Sequence, residues 1–192
     1  MAQPARVLSP ADLRHLLRHA HHTKNNARSE TIVLLSFKAG LRACEIAGLD
    51  WHMVSTPDGK IAHSIDVAGT IAKNGRCRRI PLNASLRLQL IKLHAACGKP
   101  LAGPVIKSQR GGHMTARAVV NWFANVYQEL GFAHCSSHSG RRTFITQAAK
   151  LVAKSGGSLR DVQELAGHRA LTTTERYIEG DRDAQRKLVQ LI

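Results

Sequence analysis

The stretch HSGRRTFITQ, residues 138 to 147, sets His138 three places before Arg141, with Arg142 beside it. It opens what reads as an amphipathic helix packed through Phe144 and Ile145. Residues three apart share a helix face, and cations at a helix start oppose the positive end of its macrodipole. A negative partner is required there. Three other stretches carry related chemistry. In GLRACEIAGLDW, residues 40 to 51, Arg42 follows Gly40 and precedes Glu45, its natural ion-pair partner three residues on. Lys73 lies in AKNGR beside Asn74-Gly75, the dipeptide of a tight hairpin, on an arm able to reach into a groove. AGHRALTTTERY, residues 166 to 177, holds His168 and Tyr177. On one unbroken helix these two would face opposite ways, but a capping box from Thr172 to Glu175 starts a new helix between them, so they can converge. Taken singly, each has a plain structural explanation: a surface arginine paired to Glu45, a solubilising hairpin lysine, a capping histidine, a packed tyrosine.

The elements that must position these residues are mostly helical. Ser9 as cap and Pro10 at the first position start a helix that runs to about His22. SETIVLLSFKAG forms a second, closed by Gly40. From Trp51 the pattern changes to the β-prone runs HMVS, AHSIDVAGTI and RCRRIPL, separated by TPDG and KNG, which predicts a small antiparallel sheet inserted between helices. Helices resume with ASLRLQLIKLHAAC and TARAVVNWFANVYQEL, the latter ended by Gly131. The remainder is helical with breaks at KSGG and AGHRAL, and a capping box joins Ser158 to Asp161. The fold class is mainly α with a small antiparallel sheet, and residues 1–192 read as one domain.

With 28 Lys and Arg against 13 Asp and Glu, the chain of 192 residues carries +15, spread along its whole length. A nucleic-acid partner is the leading inference from such a charge, with a basic enzyme as the plainer alternative. The four cysteines are widely spaced, so neither a zinc ribbon nor a disulfide framework is expected, and a reduced, cytoplasmic, nucleoid-associated protein is. No apolar run approaches the roughly 18 residues of a membrane span. His19, His21 and His22 lack a Cys or carboxylate at ligand spacing and read as a solvated helix end, so no metal site is expected there.

Together the four stretches resemble the tyrosine recombinase (phage integrase) family over nearly the whole chain, as that family's catalytic domain. GLRACEIAGLDW looks like its first arginine box, with Arg42 catalytic and Glu45 supporting it. Lys73 ahead of RRIPL matches its hairpin lysine; HSGRR matches its H-x-x-R box, assigning His138 and Arg141. AGHRALTTTERY matches its last box, assigning His168 and the nucleophile Tyr177. Arg76, Arg78, Arg142 and Arg169 flank these positions as DNA-binding cations. Within the boxes Gly140 replaces a more usual leucine, and Arg142 stands where a second histidine is common. Only a short segment precedes the first helix, so the chain resembles short stand-alone members such as the fimbrial DNA invertases, without an N-terminal core-binding domain, or a fragment.

The resemblance implies site-specific DNA recombination. Tyr177 attacks a phosphodiester, Arg42 and Arg141 hold its non-bridging oxygens, and Lys73 protonates the leaving 5′ oxygen. His138 assists proton transfer and His168 donates to the phosphate. The scissile phosphate is then the negative partner that the helix start at His138 needs. The product is a 3′-phosphotyrosyl intermediate, rejoined without metal or ATP, with integration, excision, inversion or resolution as outcome. Type IB topoisomerase-like relaxation and a DNA-binding regulator without catalysis are the alternatives. The tail DAQRKLVQLI, residues 183 to 192, forms an apolar helix through Leu188, Val189, Leu191 and Ile192. It docks either on its own core or, as in the family, on a neighbour in a homotetramer on synapsed DNA; the free protein is expected to be a monomer or weak oligomer.

Overall fold

Ser9 begins the first helix with a reciprocal cap: its hydroxyl accepts from Asp12 N at 3.1 Å, and the Asp12 carboxylate accepts from Ser9 N at 2.9 Å. Pro10 occupies the first position, where a missing N–H costs nothing. This is α1 (Pro10–His21) of a computed structural model that describes residues 5–177 and 189–190. Next, α2 (Asn26–Lys38) buries the continuous run from Thr31 to Phe37 and is covered by neighbours on several sides, as a helix apolar around its girth must be. After α3 (Ala43–Gly48) come β1 (Ser64–Val67) and β2 (Arg78–Pro81), then α4 (Ala84–Ala96), α5 (Ala116–Glu129), α6 (Ser139–Leu151), α7 (Leu159–Ala166) and α8 (Leu171–Glu175). The central helix α2 packs on α1, α4 and α6, and α3 packs on α5.

The two strands form one antiparallel pair, with Ser64 opposite Pro81 and Val67 opposite Arg78. HMVS does not join them. Trp51–Met53 is a 3-10 turn, because Asp50 accepts from His52 N at 3.3 Å and from Gly103 N at 3.0 Å, side-chain bonds that compete with a ladder. The hairpin is not a two-residue turn either. Asn74-Gly75 closes only a local turn, with Gly75 N donating to Ala72 O at 3.0 Å. The connection spans residues 68–77 because Ile71 folds back onto α3, so close that a Cβ on Gly48 would lie 2.6 Å from its side chain.

Two apolar clusters result. The larger draws on α1 to α5 and the sheet, with Trp51, Phe123, Leu16 and Leu35 fully buried. The smaller comprises Ile145, Val162 and Ala166, under Phe144 and the half-buried ring of Tyr177. Where α6 crosses α2, Gly140 has no room for a side chain: a Cβ would meet Ser36 Oγ and lie 2.7 Å from the Phe37 ring. That crossing explains glycine where a leucine is more usual. Thr143 Oγ1, one helical turn from Ser139, accepts from Leu8 N at 2.9 Å and ties the segment before α1 to α6.

The box expected from Thr172 to Glu175 does not form. Ala170 is the cap of α8, which starts earlier because Thr173 N bonds Ala170 O and Thr174 reaches back to His168. The Ser158 box does form, with Ser158 N donating to Asp161 Oδ2 at 2.6 Å. Of the tail helix expected over residues 183–192, all but Val189 and Gln190 lies outside the described residues.

Candidate active site

Arg42 caps α3, and the third residue of that helix is Glu45, so the carboxylate folds back onto the cap: Arg42 N donates to Oε2 at 2.8 Å and Arg42 Nη1 to Oε1 at 3.1 Å. Glu45 is fully buried. Arg78 approaches it from β2 with both ends of its fork, Nη1 to Oε1 at 2.9 Å and Nη2 to Oε2 at 2.8 Å, while its Nε donates to Leu165 O at 3.2 Å. Burial alone would push the Glu45 carboxyl up; hydrogen bonds and charge from Arg78, then Arg42, outweigh it and hold the group below the usual carboxylate range. Glu45 therefore supports two arginines. Arg78, expected to reach DNA, is turned inward with its side chain only 7% exposed. Its place in the strand is the reason: it shares the inward face with buried Ile80, while Arg79 points out to Asp66.

Arg141 is buried, and its fork spans two helix ends. Nη1 donates to Gly40 O at 2.6 Å, just past α2, and Nη2 to Ala166 O at 2.5 Å, the last residue of α7. Carbonyls at helix C-termini lack intrahelical partners and carry the negative end of the dipole, so they suit a buried cation. Gly40, at φ +63, adopts the left-handed conformation after α2. The negative partner expected for this cation is thus in part backbone, not phosphate alone. Burial, then Arg42, lowers the Arg141 pKa to about 10, and it stays charged at neutral pH.

Arg141 Nη2 also lies 3.1 Å from His168 Nε2. A guanidinium only donates, so Nε2 accepts and the imidazole is neutral with its proton on Nδ1, which donates to Thr174 Oγ1 at 2.9 Å. His168 was expected to donate to phosphate; here both ring nitrogens are occupied within the protein. Burial first, then the charges of Arg141, Arg42 and Arg78, lowers its pKa to about 4. The Tyr177 ring stacks on His168, centroids 5.7 Å apart and planes 22° apart, and the Arg142 guanidinium sits 5.6 Å over the same ring. Convergence of His168 and Tyr177 holds, although the break between them falls earlier than Thr172.

An open cleft of about 610 Å³ gathers Arg42, His138, Arg141, Arg142, His168 and Tyr177 with Ser136 and Thr173. His138 sits at the cap of α6 with an exposed ring, its pKa lowered by partial desolvation and then by Arg141, Lys73 and Arg42. Lys73, Arg76 and Arg169 are exposed, the first two on the 68–77 loop and the third just before α8. Sequence reasoning passed over Thr174, fully buried behind His168, and the carbonyls of Gly40 and Ala166. Among the described residues no helix is long and apolar enough to cross a membrane.

A sequence model of the phage integrase family matches residues 6–183. Tyrosine recombinase XerC of Xylella fastidiosa (strain 9a5c) is 32% identical over 155 residues, covering 80% of this chain and 49% of the relative. The chain thus spans about half the length of the curated relatives it matches. The integrase of transposon Tn1549, solved in complex with transposon right end DNA, superposes with a TM-score of 0.76 at 20% identity, covering 100% of this chain and 67% of that one. The XerA recombinase superposes with a TM-score of 0.73 at 18% identity, covering 100% and 66%.

Proposed function

The chain belongs to the phage integrase family, and on that premise we propose that it is a site-specific DNA recombinase acting through Tyr177. The observation that carries this is the convergence of Arg42, Arg141, His138, His168 and Tyr177 on one open cleft. The non-bridging oxygens of a phosphodiester seated there meet guanidinium groups held by Glu45 and by helix-end carbonyls. Groups fixed beforehand stabilise developing charge without reorganising at the moment of reaction.

Tyr177 Oη attacks phosphorus, forming the phosphotyrosyl bond as the bond to the 5′ oxygen breaks. The phenolic proton passes to His138, whose lowered pKa leaves its ring able to accept it near neutral pH. The departing oxygen takes its proton from Lys73, carried on the exposed 68–77 loop. Attack by a 5′ hydroxyl of another strand reverses the step and frees Tyr177. His168 acts through Arg141, not on phosphate. Exposed Arg76 and Arg169 meet the backbone of double-stranded DNA, in line with the +15 charge. Exchange between duplexes calls for a homotetramer on synapsed DNA, which sizing of the protein with and without DNA tests.

The direct test is a nicked suicide substrate, which traps the covalent adduct. Denaturing electrophoresis and peptide mass mapping are expected to find the oligonucleotide on Tyr177, and none with Tyr177→Phe, which binds DNA as before. An adduct surviving in Tyr177→Phe, or wild-type protein that never links to DNA, overturns the proposal.

A further inference from the structure

We propose that Thr174 is a positioning residue: its hydroxyl holds His168 in the tautomer whose Nε2 lone pair anchors Arg141, and its carbonyl sets Tyr177 on the same turn. The role in strand cleavage rests on the recombinase reading above; the tautomer does not. Thr174 is fully buried, whereas Thr172 and Thr173 beside it are exposed. Its Oγ1 lies 2.9 Å from His168 Nδ1, and its carbonyl accepts from Tyr177 N at 3.0 Å.

The proton inventory leaves one arrangement. Arg141 Nη2 has no lone pair to offer, so His168 Nε2 accepts, Nδ1 carries the hydrogen, and Thr174 Oγ1 is its acceptor. The other tautomer would aim an Nε2–H at a guanidinium N–H and leave Nδ1 as an acceptor against Thr174. In that state nothing in His168 attracts Arg141, and only the carbonyls of Gly40 and Ala166 keep its fork. Thr174 thus links three members of the site without lining the cleft: His168 by its side chain, Arg141 through His168, and Tyr177 by its backbone and by the ring stack at 5.7 Å.

Thr174→Val keeps shape and removes the hydroxyl; Thr174→Ser keeps the hydroxyl; Thr172→Val is the exposed control. Long-range ¹⁵N–¹H correlation of the full chain at neutral pH reads the His168 tautomer directly. The Nδ1–H form is expected in wild type, Thr174→Ser and Thr172→Val, with Nε2–H signal emerging in Thr174→Val. Trapping on the suicide substrate should slow about 10- to 100-fold in Thr174→Val, the scale of losing an outer partner of a functional histidine, with DNA affinity within about twofold and recovery in Thr174→Ser. An Nε2–H tautomer in wild type overturns the proposal without any variant having to fold. So does a Thr174→Val protein that cleaves at the wild-type rate, or a Thr174→Ser protein as slow as the valine variant. If wild type never forms an adduct while the tautomer responds to Thr174 as described, the recombinase reading fails and the positioning of His168 stands.

Discussion

Glu45→Gln removes one negative charge from the base of the site and changes almost nothing in size. Four donors converge on that carboxylate at 2.8 to 3.1 Å: Arg42 N and Nη1, and Arg78 Nη1 and Nη2. An amide offers one acceptor oxygen, so two of the four donors would face an NH₂ group. Bonds to charged groups contribute about 1.5–3 kcal/mol each, and removing one partner of a buried ion pair costs about 3–5 kcal/mol, because the charge left behind stays buried. The Glu45 carboxylate is fully buried and the Arg78 side chain nearly so, and the upper half of that range applies. Urea unfolding followed by far-UV circular dichroism should place the midpoint about 2 M lower, taking a slope of about 2 kcal/mol/M for a domain of this size. Arg42, freed from Oε1, should cost cleavage at least about a hundredfold, the scale of one lost transition-state donor. A loss below about 1 kcal/mol with cleavage intact would refute the idea that Glu45 organises the two arginines.

Gly140→Ala should lose about 1–3 kcal/mol by overpacking against Ser36 and Phe37, and Gly140→Leu more; differential scanning calorimetry checks both, and an unchanged melting temperature in the alanine variant contradicts the crossing described. Lys73→Ala should cleave slowly on an ordinary substrate and at close to the wild-type rate on a 5′-phosphorothiolate, whose sulfur leaves without a proton; absence of rescue removes Lys73 as the acid. Acid should destabilise the fold through His168. Its pKa is about 4 when folded against 6.5 when unfolded, so this group's contribution is complete above pH 6.5 and is lost as pH falls towards 4, by about 3 kcal/mol at 1.36 kcal/mol per pH unit. In melts from pH 7 to 4, His168→Gln should show a correspondingly shallower decline; an identical decline rejects a neutral buried imidazole.

The local signals that held are those whose physics is complete within a few residues: the Ser9 and Ser158 caps, the apolar period of residues 116–129, and the antiparallel pairing of 64–67 with 78–81. The failures involve partners distant in sequence. HMVS carries β propensity, but Gly103 and Asp50 draw it into a 3-10 turn. Asn74-Gly75 supplies a turn, yet Ile71 seated on Gly48 decides where the hairpin closes. Of the six residues proposed to carry chemistry, which sequence singled out by type and order, five line one cleft and Lys73 lies on the 68–77 loop. The direction of Arg78 was legible too, in the alternation of Arg78, Arg79 and Ile80, but a cationic sequence invites reading every arginine as a DNA contact. Nothing local announces that the Arg141 fork ends on carbonyls 101 and 25 residues away.

The division into two apolar clusters bears on how the site is kept assembled. Ile145, Val162 and Ala166 are the buried members of the smaller one, and burial of the two larger side chains contributes only about 1.5–3 kcal/mol each. Beside these apolar contacts, a polar seam joins α7 and α8 to the rest: Arg141 between Gly40 O and Ala166 O, and Arg78 Nε on Leu165 O. Such a segment should open as a unit at a free energy below that of the whole domain. Its backbone amides should exchange with deuterium long before those of α2. Each such opening would separate His168 and Tyr177 from Arg42 and Arg141 without unfolding the rest. On the recombinase reading, a phosphodiester bridging the two sides of the seam would slow that exchange, so the substrate itself would complete the assembly of the site.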